Sequence, residues 1–94
     1  MAQNIKISIN EDWVLVTDSN VSTITFQVTG ERSLQVLGTN GTTEPGSSSG
    51  GLVYGAGQGE RNTALSDLFP GVSGVNRLWM RMVSYETEVF VSHA

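Results

Sequence analysis

The sequence lacks cysteine and is poor in histidine, proline and charged residues. Of its 94 residues none is cysteine, one is histidine, two are proline and 15% are charged. Without cysteine the chain has no disulfide bonds and no thiolate chemistry. Because small secreted domains often depend on disulfides, we expect an intracellular origin or stabilisation by oligomerisation.

The charge balance is acidic, with nine acidic residues against five basic ones, a net charge of −4 and a pI near 4.6. Nucleic-acid binding needs a basic face, so we expect no nucleic-acid partner. The charged fraction lies below the roughly 25% of ordinary soluble domains. A surface made polar by serine, threonine, asparagine and glycine instead costs less to desolvate, which favours a structural or binding role.

The length predicts one domain covering residues 1–94. A chain of this size buries about 60–65% of its unfolded surface, enough for one modest core. No apolar run approaches the ~20 residues of a membrane-spanning helix, so no membrane association is expected. The glycine- and serine-rich segment 38–51 has too little apolar surface to repay its ordering entropy, and we expect it to be a flexible loop.

Alternating apolar and polar residues predict that most of the chain is β-strand, because side chains on a strand alternate between two faces. Turn signals recur about every 8–12 residues, which is typical of a sandwich or barrel, and a hairpin turn is expected at residues 29–32. One short helix is expected at Thr63–Leu68, capped by Asn62 or Thr63 and ended by Pro70. The prediction is an all-β, single-domain β-sandwich or barrel of about seven or eight short antiparallel strands. The predicted strands cover residues 5–9, 13–17, 21–28, 33–37, 52–54, 77–83 and 88–92.

The bulkiest predicted strand, at residues 77–83, has two distinct faces. One face carries leucine and methionine and is expected to be core. The other carries Arg77, Trp79 and Arg81, and is either solvated or docked on a partner. We take these three residues as the candidate interface, and expect Trp79→Ala to weaken assembly more than folding. If that change unfolds the single chain instead, Trp79 belongs to the core.

No residue pattern predicts catalysis, a cofactor or a metal site. The glycines of segment 55–59 do not have the spacing of a dinucleotide-binding or P-loop motif, so a flexible connector is the better interpretation. His93 has no partners in the sequence that would form a triad or a metal set. The acids at 11–12 and 86–88 lack the supporting residues of an acid/base pair or a calcium loop. We therefore expect a protein that is not an enzyme.

The tryptophans and tyrosines leave two interpretations open. Such side chains anchor cores and protein interfaces, and they also stack on sugars. A carbohydrate-binding or host-adhesion module is therefore the alternative function. Its candidate aromatics are Trp13, Tyr54, Trp79 and Tyr85.

Several strings, taken together, resemble small virion-associated proteins of tailed bacteriophages, of the head-decoration or accessory type. They are WVLVTD at 13–18, VSTITFQ at 21–27, GTNGTTEP at 38–45, LSDLFPGV at 65–72 and VSHA at 91–94. The resemblance implies a compact β-sandwich or barrel that assembles as a homo-oligomer, often a trimer, on capsid or tail proteins. It also implies synthesis in the host cytoplasm and a place in the virion, and it carries over no catalytic residue.

Overall fold

The structure is a computed structural model, which describes residues 3–94 as eight β-strands and one short helix. This confirms the predicted all-β class, the strand number and the single helix. In chain order the elements are β1 (Gln3–Ile9), β2 (Val14–Leu15), β3 (Thr23–Val28), β4 (Leu34–Thr39), β5 (Leu52–Tyr54), β6 (Gly59–Ala64), α1 (Leu65–Leu68), β7 (Arg77–Met82) and β8 (Thr87–His93).

The strands form two four-stranded antiparallel sheets that pack face to face. Sheet A has the order β1-β8-β3-β6, and sheet B has the order β2-β7-β4-β5. Of the two predicted architectures, the structure is therefore the sandwich. Its two sheets share one core, as expected for layers that each have one apolar face.

The core lies where the period-two pattern places it. Leu78 and Met80 of β7 are fully buried, and so are Val89 and Val91 of β8. Phe26 of β3 fills the space between the sheets and is also fully buried. Removing these side chains from water is the main source of stability in such a fold.

The prediction of a hairpin at residues 29–32 is wrong, because this segment crosses from sheet A to sheet B. Its strands β3 and β4 belong to opposite sheets. The amides of Thr29 and Gly30 donate to the carbonyl oxygen of Glu88, at 3.0 and 3.1 Å. The Thr87 hydroxyl donates to the carbonyl oxygen of Arg32 at 2.9 Å. The apolar faces of β3 and β4 pack against each other across the shared core because the chain changes sheets between these two strands.

The region around the helix also differs from the prediction. The helix begins at Leu65 rather than Thr63, and its N-cap is Ala64, which has no side chain to accept a capping hydrogen bond. The residues before it form the edge strand β6, which the sequence pattern did not reveal because its polar residues do not alternate with apolar ones. Gly59 begins β6 where the backbone passes against the Phe26 carbonyl, and an added Cβ would clash there. The helix ends at Leu68, before Pro70, as predicted.

Candidate interaction surface

The three candidate interface residues lie on the outer face of sheet B. They belong to β7, whose alternate residues Leu78 and Met80 point into the core. Paired residues on antiparallel strands point to the same side, so Trp79 shares this face with Leu15 of β2 and Leu37 of β4. The outer face thus carries an apolar row formed by Leu15, Trp79 and Leu37, although the outer face of a sheet is usually polar.

A loop is bonded to side chains of this face. The segment that joins β4 to β5, residues 40–51, is called the strap here. The indole Nε1 of Trp13 donates to the carbonyl oxygen of Gly46 at 3.1 Å. Trp13 is 6% exposed and Trp79 is 5% exposed. Both tryptophans of the chain are therefore buried, although Trp79 points away from the space between the sheets.

Arg81 holds the middle of the strap. Its two terminal nitrogens donate to the carbonyl oxygens of Ser47 and Ser49, at 2.8 and 2.6 Å. Its Nε donates to Oε1 of Gln35 at 3.0 Å. The guanidinium also lies over the Trp13 ring, 4.4 Å from the ring centre, in a cation–π contact. A planar fork with five donors suits this task, since it can bind several carbonyls at once.

Arg77 and Trp79 are also occupied within the chain. Arg77 Nε donates to Oδ1 of Asn20 at 2.9 Å. The indole Nε1 of Trp79 donates to the Thr39 hydroxyl at 2.9 Å, and that hydroxyl donates to the carbonyl oxygen of Gly41 at 2.8 Å. The indole therefore also bonds where the strap begins.

The predicted site residues thus come together, but in contacts that close the surface. In the single chain the outer face of sheet B presents the strap and not the Trp79 ring. The assignment of Arg77, Trp79 and Arg81 to a subunit interface stays a prediction. The flexibility of segment 38–51 likewise stays a prediction. Its first two residues belong to β4, and three of its carbonyls accept hydrogen bonds from Trp13 and Arg81.

The four aromatic residues proposed for sugar stacking do not share one exposed surface. The two tryptophans are buried beside the strap, and Tyr54 lies on the core side of sheet B, where it meets Phe26 edge-on with ring centres 4.9 Å apart. Tyr85 is exposed and stacks with the Arg32 guanidinium at 4.7 Å. The arrangement gives the carbohydrate alternative no support beyond that one ring.

Tyr54 has the clearest electrostatic perturbation. Its hydroxyl donates to Oε2 of Glu60 at 3.0 Å, which joins β5 of one sheet to β6 of the other. Burial, followed by the hydrogen bond and the negative charge of Glu60, raises the pKa of Tyr54 to about 12. All three causes disfavour the phenolate. The pair links the two sheets, and sequence reasoning missed it because Glu60 lies in the strand that was not predicted.

His93 lies against Asp18, a contact that the sequence did not reveal. The imidazole is fully buried, with Nδ1 3.0 Å from the carbonyl oxygen of Ala94 and Nε2 3.4 Å from Oδ1 of Asp18. A carbonyl oxygen only accepts, so Nδ1 carries the proton. Nε2 has no hydrogen-bond partner among the described residues. Nε2 thus faces a carboxylate oxygen, and this contact is an ion pair only if the ring is protonated.

The remaining candidates form no reactive constellation in the described residues. No cluster of three or more histidine, aspartate or glutamate side chains within residues 3–94 is placed to hold a metal ion. A surface groove of about 510 Å³ is open and lies beside the segments 29–32 and 86–88. The sole helix in residues 3–94 has four residues, too few to cross a membrane.

No protein-family model matches the chain, and neither does any curated protein or solved structure.

Proposed function

We propose that this chain is a structural protein of a bacteriophage virion, a decoration or accessory protein that self-associates and binds the surface of the particle. The observation that carries the proposal is the closed outer face of sheet B. There Trp13 and Arg81 are bonded to the chain's own strap, and Trp79 is bonded to Thr39 just before it. These contacts stiffen a small domain and leave it to act through its overall shape.

The composition of the surface supports the same role. Few charges have to be desolvated when this surface is buried, which lowers the cost of docking on a larger assembly. Several large apolar side chains are exposed at strand edges and loop tips, where docking would cover them. They are Ile5, Leu52, Val53, Val83 and Tyr85. The sequence strings that resemble head-decoration and accessory proteins point to the same class.

The test is direct association with phage particles. The purified chain is mixed with separated capsids and tails of the phage that encodes it, and pelleted with each. We expect it to pellet in a saturable ratio with one of them and to be present in purified virions by mass spectrometry. Absence from virions, together with no binding to capsids or tails at tens of micromolar, would contradict the proposal.

Sedimentation equilibrium of the chain alone gives the number of subunits. The resemblance implies a homo-oligomer, often a trimer, made in the host cytoplasm before it joins the particle. A strict monomer at tens of micromolar would remove self-association from the proposal while leaving particle binding to be measured separately.

A further inference from the structure

The four sheet edges of the sandwich are not equally protected. An exposed edge strand offers unpaired amides and carbonyls to another strand, and natural proteins prevent this with short strands, charges, prolines or bulges. β2 has two residues and β5 has three. β6 is longer, but its register shifts opposite β3 and Asn62 has a φ of 45°. These three edges are poor templates for a further strand.

β1 has only one of these protections, a single charged side chain. It has seven residues without glycine or proline, and it pairs with β8 in an unbroken register from Gln3 to Ile9. Its single charged side chain, Lys6, lies 3.6 Å from a carboxylate oxygen of Glu88 on the neighbouring strand. In the described part of the chain, β8 is the only strand paired with β1. Within residues 3–94, no strand is paired with the other side of β1, which leaves a row of backbone groups there for a further strand.

The part of β1 that is open can be located from side-chain exposure. Ile5, Ile7 and Ile9 pair with inward-facing residues of β8, so all three point to the core side of sheet A. Ile9 is 1% exposed, whereas Ile5 is 47% exposed and Ile7 is half-buried. Among the described strands, none lies beyond β1 to complete the burial of Ile5. The open edge is therefore Gln3–Ile7, with Ile5 at its centre.

We propose that the open edge pairs antiparallel with the same edge of a second copy, around a two-fold axis at Ile5. Such an axis preserves the faces of the sheet, so core-side residues meet core-side residues. Ile5 then faces Ile5, and Lys6 faces Asn4 rather than another lysine. The two exposed isoleucines bury each other, and the two A sheets join into one of eight strands.

The residues of the open edge favour a second copy of the chain as the partner. Centred on Ile5, the edge is self-complementary, with no like charges opposed and its largest exposed apolar side chain on the axis. The short or bulged edges elsewhere on the chain do not match it, which disfavours a head-to-tail ring. This inference rests on the self-association in the proposed function and specifies a contact with an even number of chains.

The first test is sedimentation of Ile5→Lys. We expect the native chain to dimerise at tens of micromolar and Ile5→Lys to raise the dissociation constant roughly tenfold or more, because a lysine on the axis opposes its own copy. Val53→Lys is the matched control, since Val53 is a 57% exposed apolar residue on the short edge strand β5. It is expected to dimerise like the native chain. Circular dichroism confirms that both variants are folded.

The second test uses disulfide cross-linking to determine which residues face each other across the two β1 strands, and it does not depend on loss of binding. The chain has no cysteine, so one introduced cysteine forms a disulfide only with its copy. Opposed residues in an antiparallel pair have Cα atoms about 4.5–5.5 Å apart, within the range of a disulfide. Mild oxidation is expected to link Ile5→Cys chains in high yield. Lys6→Cys and Ile7→Cys are expected to stay unlinked, because neither residue faces its own copy.

Several outcomes would overturn this inference. They are a native chain that stays monomeric, a strict trimer, a dimer unaffected by Ile5→Lys, and cross-linking at residue 6 or 7 instead of 5. Cross-linking of Ile5→Cys only to another protein, when particles are added, would also refute a second copy as the partner. If a monomer binds the particle, the dimer inference is wrong but the proposed function stands. If the dimer is linked through Ile5 but binds no particle, the proposed function is wrong and the dimer inference stands.

Discussion

The alternating pattern placed Trp79 at an interface and predicted that Trp79→Ala weakens assembly more than folding. Because the side chain is buried, we now expect the change to lower the stability of the single chain. The side chain is 5% exposed, and its Nε1 donates a 2.9 Å hydrogen bond to Thr39. Truncating a buried tryptophan to alanine costs about 3–5 kcal/mol. Because the strap over Trp79 is a loop that can settle into the vacated space, we expect the lower end, about 3 kcal/mol.

The size of the chain makes that loss easy to measure. At about 0.05–0.15 kcal/mol per residue, a 94-residue domain has roughly 5–14 kcal/mol of stability. In a domain of this size each kcal/mol corresponds to about 4–8 °C in Tm. Trp79→Ala should therefore lower Tm by about 12–24 °C, as measured by circular dichroism. Urea unfolding at 25 °C should show a lower midpoint without loss of cooperativity.

Trp79→Phe separates the ring from its hydrogen bond. It keeps most of the apolar contact and removes only the donor to Thr39, so we expect a cost of about 1 kcal/mol. The reasoning from burial would be refuted if Trp79→Ala changed Tm by less than about 3 °C while abolishing self-association. In that case Trp79 would act at an interface, as the sequence pattern alone had indicated.

Three further predictions concern the strap, the sheet-to-sheet contact and the core. Arg81→Ala should raise the fraction of chains with a detached strap roughly tenfold, because about 1.5 kcal/mol of charge-assisted bonding is lost. Faster proteolysis within residues 42–51 would show this. Arg77→Ala leaves those bonds intact and should not change the proteolysis rate. In the native chain the free energy of unfolding should fall as pH rises from about 10 to about 12, since the folded state holds the Tyr54 proton more tightly; Tyr54→Phe should lack this part of the slope, and an identical slope in the variant would refute the assignment. Gly38→Ala should cost about 1–3 kcal/mol in urea unfolding, because its Cβ would lie 2.6 Å from the Phe69 ring. Gly50→Ala, with nothing within 4 Å of the added carbon, is the control, and equal losses for the two would contradict the packing argument.

The strand prediction succeeded where one face of a strand is apolar. In β7 and β8 apolar side chains recur at every second position of the core face, and four of them, Leu78, Met80, Val89 and Val91, are fully buried. Burial against a single core imposes this period, so it can be read without a structure. β6 was missed for the same reason: it is a polar edge strand, held by its backbone bonds to β3 rather than by an apolar face.

The partners of each strand could not be read locally. Residues 29–32 look like a hairpin turn, yet they join strands of opposite sheets, because both neighbouring strands direct apolar residues at the same core. The Tyr54–Glu60 contact follows from the same stacking of sheets. A turn motif specifies the local backbone, whereas the choice of sheet depends on distant strands.

The amino-acid sequence alone determined the class of the fold, the face of β7 that forms the core, and the outward direction of Arg77, Trp79 and Arg81. Only the tertiary structure decided that the outward face is covered, because the strap reaches it through carbonyl groups, which every residue type has. The open edge of β1 is likewise a property of strand order, which depends on contacts between residues far apart in the chain.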